Sequence, residues 1–303
     1  MIFFKNDGVT TFLEKFFDTD QRLAQNLLFW GEESIGKMTT ARVFSEALLC
    51  SRNKKWERCN ECSSCKMINQ GYHPDLMIIE PEENSIKIEQ IKKGLEFLIY
   101  HPQISALRIL IINEADKMTE DSQNALLKTL EESRENVLII LVTNAYKKLL
   151  STVRSRLLSL RFIRASNKKI MDFLLTEYSL SREETNLIAE RAEGKIGKVI
   201  KLMDDDYKKD LFQKREDLIK ILNQDFSKQS AYFQKLVEEK NELGATLEEW
   251  LRMLKSNKES RKLNLSPDKK TKLITSLLKA IYLITETNIN KQLLMENIFL
   301  QLQ

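Results

Sequence analysis

The sequence predicts an α/β domain built on a parallel sheet, followed by helical domains. Three observations lead there. Aliphatic runs that look like buried strands alternate with helical patterns through the first half, in "DLMIIE", "LRILIINEADKM" and "NVLIILVTN". That alternation is expected when each strand is followed by a crossover helix. Such runs vanish from about Asn167 onward, where apolar residues recur at helical spacing. Finally, 303 residues exceed the usual single-domain range of roughly 100–200, and only eight glycines and four prolines interrupt them.

The first strand is read in "NLLFW", residues 26–30, and a helix in "KMTTARVFSEALLC". Between them runs "GEESIGK", which fits G-x-x-x-x-G-K with Gly31, Gly36 and Lys37. Strand, glycine-bearing loop and helix form the context of a phosphate-binding loop, whose backbone N–H groups face the anion. Met38 breaks the pattern where a magnesium-binding hydroxyl is expected, because a thioether is a poor ligand for a hard cation. Thr39 lies about 100° further around the helix and should not substitute. The same turn can also join strand to helix with no nucleotide at all.

All four cysteines fall between Cys50 and Cys65, spaced C-x8-C-x2-C-x2-C at Cys50, Cys59, Cys62 and Cys65. Two overlapping C-x2-C steps gather three thiolates around one point, and Cys50 can close a four-sulfur site of the structural zinc type. Disulfides are the plain alternative, less suited to a reducing compartment. An iron–sulfur cluster is the minor one. His73, in "GYHPDL", is a spare ligand or simply a packed or solvent-facing histidine.

Beyond this module, "DLMIIE" is a strand ending before Pro81, and "SIKIEQIKKGLEFLIYH" a helix bounded by Pro102. "LRILIINEADKM" is a strand that ends in acids. In "TEDSQNALLKTLEES", Thr119 stands as helix cap with Ser122 at the third helical place and acids in the first turn. "NVLIILVTN" closes the strand series. Small helices then fill "KKIMDFLLTEYSLSREETNLIAERAEGKIGKVIKLM", broken at Gly194 and Gly197, and Asp204 to Asp210 reads as a charged connector or, alternatively, a solvated helix end. Amphipathic helical patterns continue to the end. The expected division is 1–165, 166–207 and 208–303, with the cysteine module at about 50–65.

The balance of 48 basic and 44 acidic residues, formally +4, permits nucleic-acid contact without arguing for it. The start "MIFFKNDGVTTF" meets a charge too early for a secretory signal. The run "VLIILV" is far shorter than the ~20 residues needed to span a bilayer. A cytoplasmic location and no membrane association are therefore expected.

Taken in order, the loop at Gly31, the acidic strand end at Asn113, "STVRSRL" from Ser151 and the inserted cysteines resemble bacterial clamp-loader subunits of the AAA+ class. The delta-prime branch of the DNA polymerase III clamp loader is the nearer one, with gamma and tau as relatives. The likeness covers about residues 1–205 and is weaker over the last helices, although "ETNINKQLLMENIFLQL" is similar to that family's last collar helix. It implies an AAA+ P-loop domain with a zinc insertion, a small helical lid and a helical collar that assembles subunits. It also implies roles for single residues. Asn113 takes the place of a magnesium-supporting aspartate, while Glu114 stands at the water-activating position. Arg156, in "RSRL", falls at the arginine finger that reaches the next subunit's ATP, with Leu157 replacing the family's cysteine. Arg154 is the candidate for a bland surface salt bridge. Lys198 replaces a lid arginine, keeping charge but losing the bidentate fork. Thr143 and Asn144 sit at the first sensor.

With Met38 and Asn113 both unable to support magnesium, hydrolysis should be very slow or absent. Whether ATP still binds is left open. The resemblance thus implies a non-hydrolysing subunit of a five-membered complex with gamma/tau and delta partners, which helps load the sliding clamp onto primed DNA. A gamma-type ATPase subunit is the alternative, and a zinc-based nucleic-acid-binding protein a third reading.

Overall fold

Five strands make one parallel sheet in the order β2-β3-β4-β1-β5. They are β1 Leu27–Trp30, β2 Leu76–Ile79, β3 Arg108–Ile112, β4 Val137–Thr143 and β5 Leu158–Arg161. The computed structural model describes residues 4–18, 26–53, 55–132, 136–178, 180–238, 242–256, 260–263, 265–286 and 289–300. Helices of the sheet region are α1 Asp7–Asp18, α2 Lys37–Leu49, α3 Ser63–Asn69, α4 Ile88–Ile99, α5 Glu120–Glu131 and α6 Ser151–Arg154. Then come α7 Asn167–Glu177, α8 Arg182–Ala192 and α9 Ile196–Leu202.

Strand side chains alternate between two faces, and both faces of this sheet are covered. Leu27, Phe29, Ile109, Ile111 and Ile140 pack with Val9 and Leu13 of α1 and Ala41 and Phe44 of α2. Leu28, Leu110, Ile112, Ile139 and Leu141 point the other way, onto Ile91 of α4, Leu126 and Leu130 of α5 and Val153 of α6. Burial on both sides is why β3 and β4 read as unbroken aliphatic runs. The sequence reading assigns no helix before Asn26 and no strand in "LSLR"; α1 and β5 are additions. The capping expectation holds: the Thr119 Oγ1 accepts from Ser122 N at 3.2 Å.

Two expectations need correction. Gly197 does not break a helix but lies inside α9, where an added Cβ would stand 3.0 Å from the Ser34 carbonyl oxygen. Residues 204–210 are not a connector either but the alternative, a helix end: Asp204 caps the helix that starts at Asp205, accepting from Tyr207 N at 3.2 Å.

The chain divides into two compact units at Lys201 and Leu202. The second is all helical, with α10 Asp205–Leu222, α11 Phe226–Glu238, α12 Glu242–Lys255, α13 Pro267–Glu286 and α14 Lys291–Leu300. Its core gathers Leu218, Phe233, Leu247, Trp250, Leu277 and Phe299, and Trp250 spends its one donor on the Lys214 carbonyl at 2.7 Å. Among the described residues, no helix is long and apolar enough to cross a membrane.

One buried ion holds the first unit's far edge. Asp75, fully buried just before β2, accepts from the amides of Gln103 at 2.7 Å, Ile104 at 2.9 Å and Ser105 at 2.9 Å. Arg108 lies 3.7 Å away, itself donating to the carbonyls of His101 and Phe97. Burial opposes the carboxylate charge, but the three amides outweigh it and hold the pKa below the ordinary value. A depressed acid stabilises the fold above its unfolded pKa and loses that contribution as pH falls below it. Asp75→Asn is therefore expected to cost about 2 kcal/mol at neutral pH, as charged hydrogen bonds typically do. Denaturant unfolding of both proteins at pH 7 and pH 3 checks it: the difference shrinks in acid.

Candidate functional site

The loop after β1 leaves the carboxyl edge of the sheet and enters α2 through Gly36. This residue has φ 91°, a conformation costly for any residue with a Cβ. Lys37 follows and is nearly enclosed, 5% exposed. Its ammonium donates to Gly31 O at 2.9 Å, to Asn144 Oδ1 at 2.8 Å and to Glu32 O. All three protons are thus used within the chain. Burial lowers its pKa to about 8. Met38, half-buried, packs with the apolar layer of α1 and α2.

Across the loop, β3 ends at Asn113, whose amide donates to Glu80 Oε1 at 3.4 Å. Glu114 takes a left-handed conformation, φ 49°, and its carboxylate pairs with Lys117. Asp116 accepts from Thr143 Oγ1 at 2.6 Å and Asn144 N at 3.0 Å. Burial raises its pKa, but these donors outweigh burial and the net shift is downward. From the other side, Gly197 N of α9 donates to Ser34 O at 2.7 Å. Gly36, Lys37, Met38, Thr39, Asn113, Glu114, Asp116 and Asn144 line a common cavity of about 470 Å³.

Three residues predicted for this site, Gly31, Thr143 and Lys198, do not line the cavity. Lys198 turns to Glu193 at 3.1 Å. Gly31 contributes its carbonyl to Lys37 rather than a wall. The sequence reading missed Asp116, which fixes Thr143 and Asn144, and Glu32. Glu32 bridges Arg164, at 2.8 and 2.6 Å, and Lys195, at 3.2 Å. The Arg164 hydrogen bonds, then Lys195, bring the Glu32 carboxyl to about 2. No local pattern marks either acid, since their partners lie far along the chain.

The four cysteines form a second cluster, unbridged by disulfides. Their sulfurs all lie within 4.8 Å of one another, with Cys59–Cys65 and Cys50–Cys62 at 3.9 Å. A tetrahedral zinc with Zn–S bonds of about 2.3 Å would set sulfurs about 3.8 Å apart, so the donor set fits this ion. Backbone amides of Cys59, Cys62 and Cys65 point at sulfurs at 3.4 to 3.5 Å. Burial opposes the Cys62 thiolate, yet the amides of Cys65 and Ser51 outweigh it and bring the thiol to about 6. Burial pushes Cys65 up to about 12. Trp56 of the same segment packs on Phe17 and Phe44 and donates to Glu14 at 3.0 Å. His73 is no ligand: its Nδ1 accepts from Asp75 N at 3.1 Å, and its Nε2 lies 3.4 Å from Ser105 Oγ.

Arg156 follows α6, apart from the loop cavity. Its guanidinium donates to Glu131 from Nε at 2.9 Å and from Nη2, and to Thr152 O at 2.8 Å. Among the described residues Arg154 makes no salt bridge, contrary to the expectation; it lies over the Tyr146 ring with its Cζ 4.7 Å from the centroid.

A family profile described as "DNA polymerase III, delta subunit" matches residues 6–166, more than half of the chain. The chain belongs to the clamp-loader subunit family of DNA polymerase III. Within that family it is similar to subunit delta' of Pseudomonas aeruginosa, 32% identical over 44% of this chain and 41% of that one. Delta' of Bacillus subtilis is 34% identical over 55% and 50%. Subunit tau/gamma of Haemophilus influenzae is 33% identical over 61% and 28%. The matches thus span half or less of these clamp-loader relatives. A gamma subunit-related protein of Thermotoga maritima aligns over 99% of this chain and 98% of its own, at 18% identity and TM-score 0.44.

Proposed function

We propose that this chain is the non-hydrolysing, delta-prime-like subunit of the clamp loader, which helps place the sliding clamp on primed DNA and lends Arg156 to a neighbouring ATPase. The observation that carries this reading is the loop cavity itself. Met38 and Asn113 stand where magnesium ligands are needed, and the Lys37 ammonium is consumed by Gly31, Glu32 and Asn144. Phosphoryl transfer depends on metal and lysine neutralising phosphate charge, so this cavity lacks the groups that do the work. In the same reading, residues 1–165, 166–207 and 208–303 serve as AAA+ domain, lid and collar in a cytoplasmic pentamer with gamma/tau and delta. Cys50, Cys59, Cys62 and Cys65 hold a structural zinc.

The second reading, a gamma-type ATPase, is favoured by the tau/gamma relative, matched at 33% identity, between the 32% and 34% of the two delta' relatives. Hydrolysis assays on the isolated chain with magnesium and ATP separate the two. No turnover above the uncatalysed rate is expected. Magnesium-dependent turnover by the purified chain would transfer the assignment to the gamma type.

A further inference from the structure

Four side chains at the carboxyl edge of the sheet form a ladder that nothing above employs. Trp30, the last residue of β1, and Tyr146, after β4, face each other with centroids 4.8 Å apart and planes at 40°. Arg154 lies over Tyr146 at 4.7 Å and Arg161, paired with Trp30 across β1 and β5, lies over Trp30 at 5.1 Å. Cation–π contact fixes each guanidinium plane without using its N–H donors. Among the described residues, neither arginine makes a hydrogen bond or an ion pair, and Arg154 Nε is buried with no acceptor. Elsewhere in the unit Arg42, Arg58, Arg108, Arg156 and Arg164 each meet a carboxylate.

We propose that Arg154 and Arg161, presented on Tyr146 and Trp30, receive carboxylate side chains of the neighbouring clamp-loader subunit. Planar forks held in place and left without acceptors suit bidentate carboxylate binding. Continuity favours a protein partner, since Arg156, offered above to the neighbouring ATPase, follows two residues after Arg154. Charge pattern favours it too: Glu131 stands on Arg156, so the surface alternates in sign. A nucleic-acid strand of continuous negative charge would meet that acid unfavourably, whereas a folded surface can match mixed charge. The inference rests on the clamp-loader reading but concerns docking, while the finger concerns turnover.

The test uses the full chain and a gamma-type subunit, measuring their dissociation constant and the ATP turnover of the saturated pair. The Arg154→Ala, Arg161→Ala variant is expected to bind about 30-fold more weakly, as truncating one side of an enclosed charge pair does. Turnover at saturation stays within about twofold. Arg154→Lys, Arg161→Lys keeps charge and bulk and controls for folding; intermediate affinity is expected, and wild-type affinity would overturn recognition by the forks. Unchanged affinity in the alanine variant would overturn the proposal. If affinity were unchanged while low-salt binding of a single-stranded oligonucleotide disappeared, the ladder would be a polyanion surface instead. Failure of the wild-type chain to associate at all would overturn this inference and the clamp-loader role together.

Discussion

In a pair of this chain with one gamma-type subunit, Arg156→Ala is expected to lower ATP turnover at the shared site by about 10³-fold, the smaller end of what a finger in trans supplies. That is about 4 kcal/mol of transition-state stabilisation. Arg156 pairs with Glu131 within its own chain, and the pair is 32% and 54% exposed. An exposed ion pair of this kind is worth about 0–1 kcal/mol, so parting it for a phosphate costs little beside the gain. Arg156→Lys is expected to restore little, because a lysine keeps the charge and loses the fork. Steady-state hydrolysis under saturating partner checks both variants. Turnover within a fewfold of wild type would remove Arg156 from the finger role.

The second large effect concerns the cysteines. Metal analysis of the purified chain is expected to give one zinc, and a colourless protein; a brown one would point to iron and sulfide. Structural zinc sites in small modules bind with about 10–16 kcal/mol, comparable with the whole stability of a domain, about 5–15 kcal/mol. Cys62→Ala, Cys65→Ala should therefore lose the metal and unwind α3, whose cap is the Cys62 side chain. The loss should extend to the packing of Trp56 on Phe17 and Phe44. Thermal unfolding with and without a chelator reads this out. Equal melting temperatures, or no bound zinc, would leave the cluster as four thiols.

What could be read in advance followed from how local the signals are. The aliphatic runs of β3 and β4 announced a covered parallel sheet, because burial on both faces leaves no polar alternation to confuse them. By contrast β5 spans only Leu158–Arg161 with alternating exposure, too short a pattern to separate from a loop. The glycine at 197 looked like a break, yet it is the absence of a side chain against Ser34 that lets α9 approach the loop. In the cavity, Gly36, Lys37, Asn113, Glu114 and Asn144 were found from motif spacing. Glu32 and Asp116 were not, since their meaning comes from Arg164 and Thr143, reached through the tertiary fold. Arg154 was misjudged for the same reason: only folding sets Tyr146 beneath it.

The strand order carries a consequence for how the chain emerges during synthesis. Leu27 pairs with Ile140 on one side and Leu158 on the other, so β1 must wait, unpaired, until β4 has left the ribosome, and is flanked on both sides only once β5 has followed. Non-local pairing of this kind is slow because the intervening loop has to be ordered first. The cysteine cluster, by contrast, draws all its members from Cys50 to Cys65 and can assemble as soon as that short stretch appears. A metal captured there would shorten the effective tether between α2 and β2 before any sheet exists, giving the nascent chain its earliest fixed point.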